Sequence, residues 1–575
     1  MSGALGAVVV REPSAKYLVR PEPASIHGFE LLTTAPGGVA ELRALIHSLA
    51  IRGLLVSHDS GDQPASALIV DIRVVKDRLV ADGKLRPDKP SEQVCADDQP
   101  FAVPASWAWA RFGSVSINRD GERIPVSSED RQPRAKLFDY YGASGVIDKI
   151  DGFLFDQTLL LIGEDGANLI NRATPIAFLA SGKFWVNNHA HVIDATHPEL
   201  MQYLCLFINA ISLEPYITGT AQPKMNQAKL NSIPVALPPL AEQHRIVARV
   251  EELMRLCDAL ERGGRLADEQ HARLTSTLFD ALAASESAHA LAENWQRIAE
   301  HFDLLLDRPE TIAALEQTIL QLAVRGMLVA QAAGNGSANE ALMAIAKRKE
   351  QLIARGSMKR ARPSVPVVDT EEPFAVPLGW AWVRLADLCS LVTDGEHATP
   401  QRCDDVTAIP LVTAKNVRSE VMDYAVTDFV PRDVAAKCWL RCKPELGDIL
   451  MVSVGATLGR LCVLRDALDM VLVRSVTLLR PVHAGVCVDY LALHLMSSGS
   501  QREIWSEVKQ SAQPGLYLAK SAGLKIALPP LAEQHRIVAR VEELRHLCTQ
   551  LRERLSDARR TQSQLADALV AEVLA

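Results

Sequence analysis

The chain has 575 residues, 48% hydrophobic and 23% charged, and its 61 Lys and Arg against 69 Asp and Glu leave a net charge of −8. That composition excludes a disordered chain and a wholly basic nucleic-acid coat protein, though not a local basic groove, and the length suggests about four domains. Ten cysteines without a C-x-x-C pair point to reduced thiols in a cytosol; no apolar run reaches the roughly eighteen residues of a membrane span, and Met1–Arg11 lacks the basic region of a signal peptide.

In chain order, Leu42–Ala50 reads as a short helix closed by Gly53. A charged stretch follows, with Lys76, Arg78, Lys84, Arg86 and Lys89 opposed by Asp77, Asp82 and Asp88. From about Phe112 to Val235 the chain is β-rich, strand-like at Gly152–Phe155, Thr158–Ile162 and Lys183–Val186. After Pro238-Pro239 a helix should start, with Glu242 near its N-terminal dipole. Its Ile246, Val250, Leu253, Cys257 and Leu260 have the spacing of a coiled-coil seam, which weakens at Gly263-Gly264 and resumes at Leu274 and Leu278. Leu315–Ala323 is a second short helix. Gly334–Ser337 and Arg362–Pro373 read as linkers on either side of a basic run (Lys347, Arg348, Lys349, Arg355, Lys359, Arg360, Arg362). A solvated helix face is the simplest reading of both basic stretches, phosphate or partner contact the alternative.

From about Leu385 to Ile526 the chain is β-rich again, with strands expected at Asp448–Val452, Leu461–Leu464 and Val471–Leu479. A last helix, about Glu533 to Val570, would be roughly 55 Å long at 1.5 Å per residue. Its seam runs through Ile537, Val541, Leu544, Cys548, Leu551, Leu555, Ala558, Leu565 and Leu569.

The chain is written twice. The eighteen letters ALPPLAEQHRIVARVEEL at Ala236–Leu253 return at Ala527–Leu544, an offset of 291. Upstream, Leu42, Arg52, Gly53, Leu55 and Val56 match Leu315, Arg325, Gly326, Leu328 and Val329. Pro100, Phe101, Val103, Pro104, Trp107, Trp109 and Arg111 match Pro373, Phe374, Val376, Pro377, Trp380, Trp382 and Arg384, all at an offset of 273. The two β-rich middles look unrelated apart from their ends, Thr220-Ala221-Gln222-Pro223 and Ser511-Ala512-Gln513-Pro514. A duplicated scaffold therefore holds two divergent inserts, and the two seams invite packing on each other, antiparallel about a pseudo-twofold axis.

With Gly142–Gly145, Ile147–Lys149, Gly182-Lys183 and Asn187–Ala190 in the first insert, and Thr393–His397, Thr399-Pro400, Thr413–Val417, Gly447–Leu450 and Val454–Ala456 in the second, the chain resembles the specificity subunit of Type I DNA restriction–modification enzymes. The resemblance implies an α+β fold: two β-rich target-recognition domains separated by long paired, coiled-coil-like conserved helices in a pseudo-twofold internal repeat. It implies an N-terminal helical segment (1–98), recognition domains at 99–235 and 371–526, a central helical region (236–370) and a C-terminal helix (527–575). The implied task is recognition of a bipartite, asymmetric double-stranded DNA target, the helices setting the gap between half-sites. The implied partners are two modification (methyltransferase) subunits and restriction (translocase and endonuclease) subunits. S-adenosylmethionine, ATP and magnesium would belong to those partners, with no cofactor, metal or catalytic residue in this chain, no membrane, and a cytoplasmic location.

Direct readout wants Arg, Lys, Asn, Gln, Ser or Thr on loops and strand ends. The residues expected to meet DNA are Lys149, Lys183, Asn187, Asn188, His189, Gln222 and Lys224 in the first insert, and Thr393, His397, Lys415, Asn416, Arg460 and Gln513 in the second. Structural roles, in turns and buried hydrogen bonds, are the competing reading of each. Gln222 and Gln513 recur in two readers of unlike sequence, which favours a structural or backbone role for them. No glycine-rich cofactor loop, amino-methylation motif or Walker loop is present, and His189 and His191 suggest no third metal ligand. A related defence methylation system, a helical scaffold with no DNA role, and a self-contained nuclease or methyltransferase remain as other classes.

Overall fold

The structure, a computed structural model, describes residues 31–87, 93–219, 223–332, 334, 336–360, 362–508 and 514–574. The chain forms two compact units, Met1–Ala267 with Arg559–Ala575, and Asp268–Ala558. Each contains one insert and its own set of helices.

In the first unit the expected short helix is Gly38–Ile51, and a further helix, Ala65–Ala81, carries Lys76. In the second the equivalents are Pro309–Val324 and Ala338–Ala354. The first helix of each pair ends at an arginine followed by a left-handed glycine, Gly53 (φ +74°) and Gly326 (φ +70°). A β-carbon there would lie 2.6 Å from Pro104 Cγ or 2.5 Å from Pro377 Cγ, so each glycine lets the helix end press against the Pro-Trp segment.

That contact begins a mount that the scattered repeat letters build together. Arg52 lies over the Phe101 ring and Arg325 over Phe374, and these rings pack on Trp109 and Trp382. Strand Ala108–Arg111 pairs antiparallel with Pro234–Leu237, and Ala381–Arg384 with Lys525–Leu528, in the same register: Trp109 opposite Ala236, Trp382 opposite Ala527. The segment before each insert is thus clasped to the segment after it, which explains why two offsets of the repeat flank a variable middle. Tyr203 and Tyr490 each donate a hydroxyl proton to the clasp, 2.6 Å to Ala236 O and Ala527 O, with Trp107 and Trp380 edge-on to their rings.

Lys76 Nζ donates to Gly113 O (2.6 Å) and Ser116 O (2.9 Å), and Lys349 Nζ to Ala386 O (2.9 Å), at equivalent places beside the clasp. Lys76 and Lys349 therefore depart from the solvated-face reading of the two basic stretches, whose Arg78, Lys84, Lys347, Arg348 and Arg355 are exposed. Burial lowers the pKa of Lys349, whose ammonium donates to the Ala386 carbonyl oxygen.

The inserts, unlike in sequence, share the strand order of one sheet and a parallel strand pair in the other. Each has an antiparallel four-stranded sheet, ordered Ile117–Asn118, Ala190–Asp194, Leu159–Gly163, Ala177–Ala180 in the first and Cys389–Asp394, Val476–Pro481, Ile449–Val452, Leu461–Val463 in the second. Each also has a mixed sheet, four-stranded in the first insert and three-stranded in the second, in which one strand pairs parallel with a later one, Phe138–Gly142 with Lys183–Val186 and Ile409–Val412 with Val471–Leu472.

The two long helices are Leu240–Ala283 and Leu531–Leu574, 44 residues each. The first is continuous through Gly263-Gly264, and residues 261–270, where the seam was expected to weaken, are exposed. It begins in the first unit and ends in the second, while the other begins in the second and ends in the first. Ile246, Val250 and Cys257 enter the core of the first unit, and Ile537, Val541 and Cys548 that of the second. In the second unit that core also takes Phe279 and Leu282 from the end of the first long helix. In the first unit Ala566 and Val570 pack with Leu32, Ala35 and Leu45, while Leu565 of the expected seam is exposed.

Candidate nucleic-acid interface

The two sheets of each insert meet at a corner. In the first insert the chain leaves Lys183–Val186, turns through Asn187-Asn188-His189 and enters Ala190–Asp194. In the second it leaves Val471–Leu472, turns through Val473-Arg474-Ser475 and enters Val476–Pro481. The single strand expected over Val471–Leu479 is therefore two strands in different sheets. No straight strand can serve both, so the chain bends where Arg474 and Ser475 interrupt the apolar run.

Two further loops complete the corner, tied by matching backbone hydrogen bonds. Glu164 N–H donates to His189 O (2.8 Å), and Ser453 N–H to Ser475 O (2.9 Å). Gly166 N–H donates to Pro223 O and Gly455 N–H to Pro514 O, both 3.0 Å. Met225 N–H donates to Glu164 O and Leu516 N–H to Ser453 O, both 2.8 Å. Gly166 and Gly455 are both left-handed, at φ +101° and +105°. Backbone for backbone the corners agree; their side chains do not. Asn188 stands where Arg474 stands, His189 where Ser475 stands, Asp165 where Val454 stands, and Lys224 where Gly515 stands.

The first corner is a charged network. His191, 1% exposed, holds Asp120 Oδ2 at 2.6 Å on Nδ1 and Met225 O at 2.8 Å on Nε2. Two acceptors on one ring require both nitrogens to donate, so the ring is an imidazolium. Burial opposes the charge, but the hydrogen bond and attraction to Asp120 outweigh it and raise the His191 pKa. Burial likewise opposes ionised Asp120, and its bond to His191 carries that pKa below the ordinary carboxylate value. Glu164 meets Arg123 at 2.8 Å and Lys224 at 3.2 Å, and His189 Nδ1 meets Asp165 at 2.7 Å.

Four of the expected contact residues thus meet here: Asn187, Asn188, His189 and Lys224. Asn187 is buried and its side-chain Oδ1 accepts the His189 N–H at 2.8 Å, holding the turn. Lys149 and Lys183 lie on the mixed sheet, paired with Asp139 (3.3 Å) and Asp156 (3.9 Å). In the second insert His397 borders the corner: its Nε2 contacts Asp394 (2.8 Å) and Arg441, and the adjoining Glu396 O accepts the Arg474 N–H (2.9 Å). Arg460 ends the loop that begins at Ser453 and is exposed, while Thr393 is half-buried on its strand. Lys415 lies on a loop beyond the mixed sheet, 3.6 Å from Asp428.

Asn416 is 1% exposed, accepts from Thr413 N–H (2.9 Å), and donates to Asp423 O (3.0 Å) and Val426 O (3.1 Å). A fully engaged side chain of that kind ties its own loop, so base contact does not follow. Gln222 and Gln513 lie outside the described residues. Arg474 escaped the sequence reading; its signal was a charge inside V-L-V-R-S-V. The G-A-x-L letters at Gly166–Leu169 and Gly455–Leu458 mark the shared loop, and Y-L-x-L at Tyr203 and Tyr490 the shared helix.

Comparison with known proteins agrees with this architecture. The family described as Type I restriction modification DNA specificity domain matches residues 111–268 and 377–558, one stretch per insert. The chain belongs to that family. The EcoEI specificity subunit of Escherichia coli is 30% identical over 92% of this chain and 93% of its own, and the EcoAI specificity subunit of Escherichia coli 29% over 92% and 93%. A chain from a solved structure of a type I R-M system covers 83% of this chain and 99% of that chain, at 17% identity and a TM-score of 0.45. Among Type I specificity subunits, then, this one is an internally duplicated α+β protein whose two inserts are target-recognition domains. Among the described residues no helix is long and apolar enough to cross a membrane, and no group of three or more His, Cys, Asp or Glu is placed to hold a metal ion.

Proposed function

We propose that this chain reads a two-part, asymmetric double-stranded DNA target, one half-site per insert, and does no bond-breaking itself. The observation that carries this is the pair of corners: one hydrogen-bonded backbone presenting two unlike sets of side chains. A common backbone positions, and differing side chains specify. Discrimination at separated positions roughly adds, so two unlike readers specify a longer split site than either alone. Lys149, Lys183, Asn188, His189, Lys224, Thr393, His397, Lys415 and Arg460 stay as contact residues in this reading, with Gln222 and Gln513 on the adjoining signature.

The partners are two modification subunits, joined by restriction subunits. S-adenosylmethionine, ATP and magnesium are theirs, and the complex works in the cytoplasm. Support for a partner bound twice comes from the long helices. Folding constrains buried letters, yet His244, Ala248, Arg249, Glu251 and Glu252 are exposed and recur as His535, Ala539, Arg540, Glu542 and Glu543. Leu256 (55% exposed) and Leu547 (53%) continue the same face. Exposed apolar side chains amid repeated charges mark an interaction surface, and its occurrence twice fits one partner bound at two places.

The test is methylome sequencing of a host expressing this chain with its modification subunit. An asymmetric split motif is expected, and exchange of Phe112–Val235 for another reader should alter one half only. A change in both halves, or in neither, defeats the reading. For the partners, native mass spectrometry should show one modification subunit lost with Leu256→Asp and both lost with Leu256→Asp and Leu547→Asp together.

A further inference from the structure

We infer that the residue at the centre of each corner turn, Asn188 in the first insert and Arg474 in the second, is a base-reading residue: Asn188 for an A·T pair in its half-site and Arg474 for a G·C pair in the other. This rests on the proposal that the inserts read DNA, and it names the position and the chemistry.

Three observations converge. First, the two residues are equivalent. The turn that holds each is bracketed by the same bonds: Asn187 N–H to Tyr141 O and Val473 N–H to Val412 O on one side, both 3.1 Å, and Glu164 N–H to His189 O and Ser453 N–H to Ser475 O on the other. Second, both side chains are exposed, and neither has a hydrogen-bond or ion-pair partner among the described residues. Beside Asn188, Asn187 Oδ1 holds the turn and His189 Nδ1 is held by Asp165. Third, the backbone beneath is rigidly specified, with the Gly166 and Gly455 loops and the segments at Pro223 and Pro514 fastened to the turn. A side chain on such a platform meets a base edge at low entropic cost.

The chemistry of the two side chains then separates them. A carboxamide has one donor and one acceptor side by side and matches N6 and N7 of adenine; a guanidinium has two parallel donors and matches O6 and N7 of guanine. Arg and Asn at the same backbone position therefore specify different base pairs without change to the scaffold.

The experiment is methylome sequencing with Arg474→Asn and Asn188→Ala, each in the full chain with its modification subunit, beside the unmodified chain and the Phe112–Val235 exchange. With R474N, one G·C position of one half-site should lose its preference by about 10- to 100-fold, the other half-site staying intact. With N188A, one A·T position of the other half-site should relax alike. The intact half-site shows in the same data that the complex has assembled. Motifs that stay unchanged while binding weakens uniformly and its salt dependence falls by about one phosphate's worth would make both residues backbone contacts and overturn the inference. Should the insert exchange alter a half-site while neither point variant does, the inference fails and the two-reader proposal stands; should the exchange alter nothing, that proposal itself has failed.

Discussion

The two units are copies that have been altered at chosen places. Arg43 on helix Gly38–Ile51 pairs with Asp258 (2.6 Å) and Glu261 (3.2 Å) on the first long helix. At the equivalent place in the second unit, Glu316 on helix Pro309–Val324 pairs with Arg552 (2.8 Å) on the other long helix. The ion pair is kept and its polarity reversed. A chain with two near-identical helix sets can mispair them, and mispairing here would set Arg43 against Arg552 and Glu316 against Glu261. Such half-exposed pairs add little stability, but like charges in the wrong pairing disfavour it, which is the use a duplicated protein has for them. The buried histidines differ too: His191 in the first unit is held charged. His494 in the second accepts the Ala527 N–H (3.0 Å), and burial drops its pKa to about 3.

The largest effect expected from breaking this comparison is at the glycines of the mount. Gly326→Val should destabilise the second unit by about 2–5 kcal/mol, because a left-handed residue gains a side chain against Pro377 and Trp380. Gly83, at φ +68° with nothing within 4 Å, serves as the contrast, and Gly83→Ala should cost only about 1 kcal/mol. Chemical denaturation followed by Trp fluorescence measures both, and equal losses would show that the close approach is unimportant.

Next in size is an opposite pH response. His494 is neutral when folded and takes up a proton when unfolded, so the second unit should lose about 1.4 kcal/mol for each pH unit below 6.5, levelling off near the folded value of about 3. The raised pKa of His191 acts the other way: its contribution is complete below 6.5 and is lost as pH rises through the folded value. Asp120, with its pKa lowered, gives up its share only in acid below 3.8. Hydrogen exchange of the whole chain at pH 5 and pH 8 should therefore show the second insert loosening in acid and the first in base. The same direction in both would refute the charge states.

A smaller difference separates the mount tryptophans. Trp107 Nε1–H donates to buried Glu242 at 3.1 Å, whereas Trp380 Nε1 has no partner among the described residues. Trp107→Phe should cost about 1–3 kcal/mol more than Trp380→Phe in paired denaturation curves. The smallest effect is the charge reversal itself: Arg43→Glu should cost about 1 kcal/mol or less, and adding Asp258→Lys and Glu261→Arg should restore most of it. No recovery in that cycle would show the reversed pair to be incidental.

Sequence alone determined the duplication and the presence of the two long helices, because repeated letters and a 3.6-residue period are local signals that need no partner to be read. The residues of the mount were visible as matched letters, but their joint task was not. Arg52-Gly53, the Pro104–Trp107 segment and Tyr203 are far apart in the chain and come together only after folding. Tertiary structure alone decided that two inserts without evident likeness share the strand order of their antiparallel sheet and a hydrogen-bonded corner. Backbone bonds carry that likeness, and backbone bonds leave almost no trace in the choice of side chains. It also decided which polar residues are spent internally, as Asn187, Asn416, Lys76 and Lys349 are, and which, like Asn188 and Arg474, are left facing out. A side chain's availability depends on the acceptors that distant segments bring to it, and those are set only when the sheets have met.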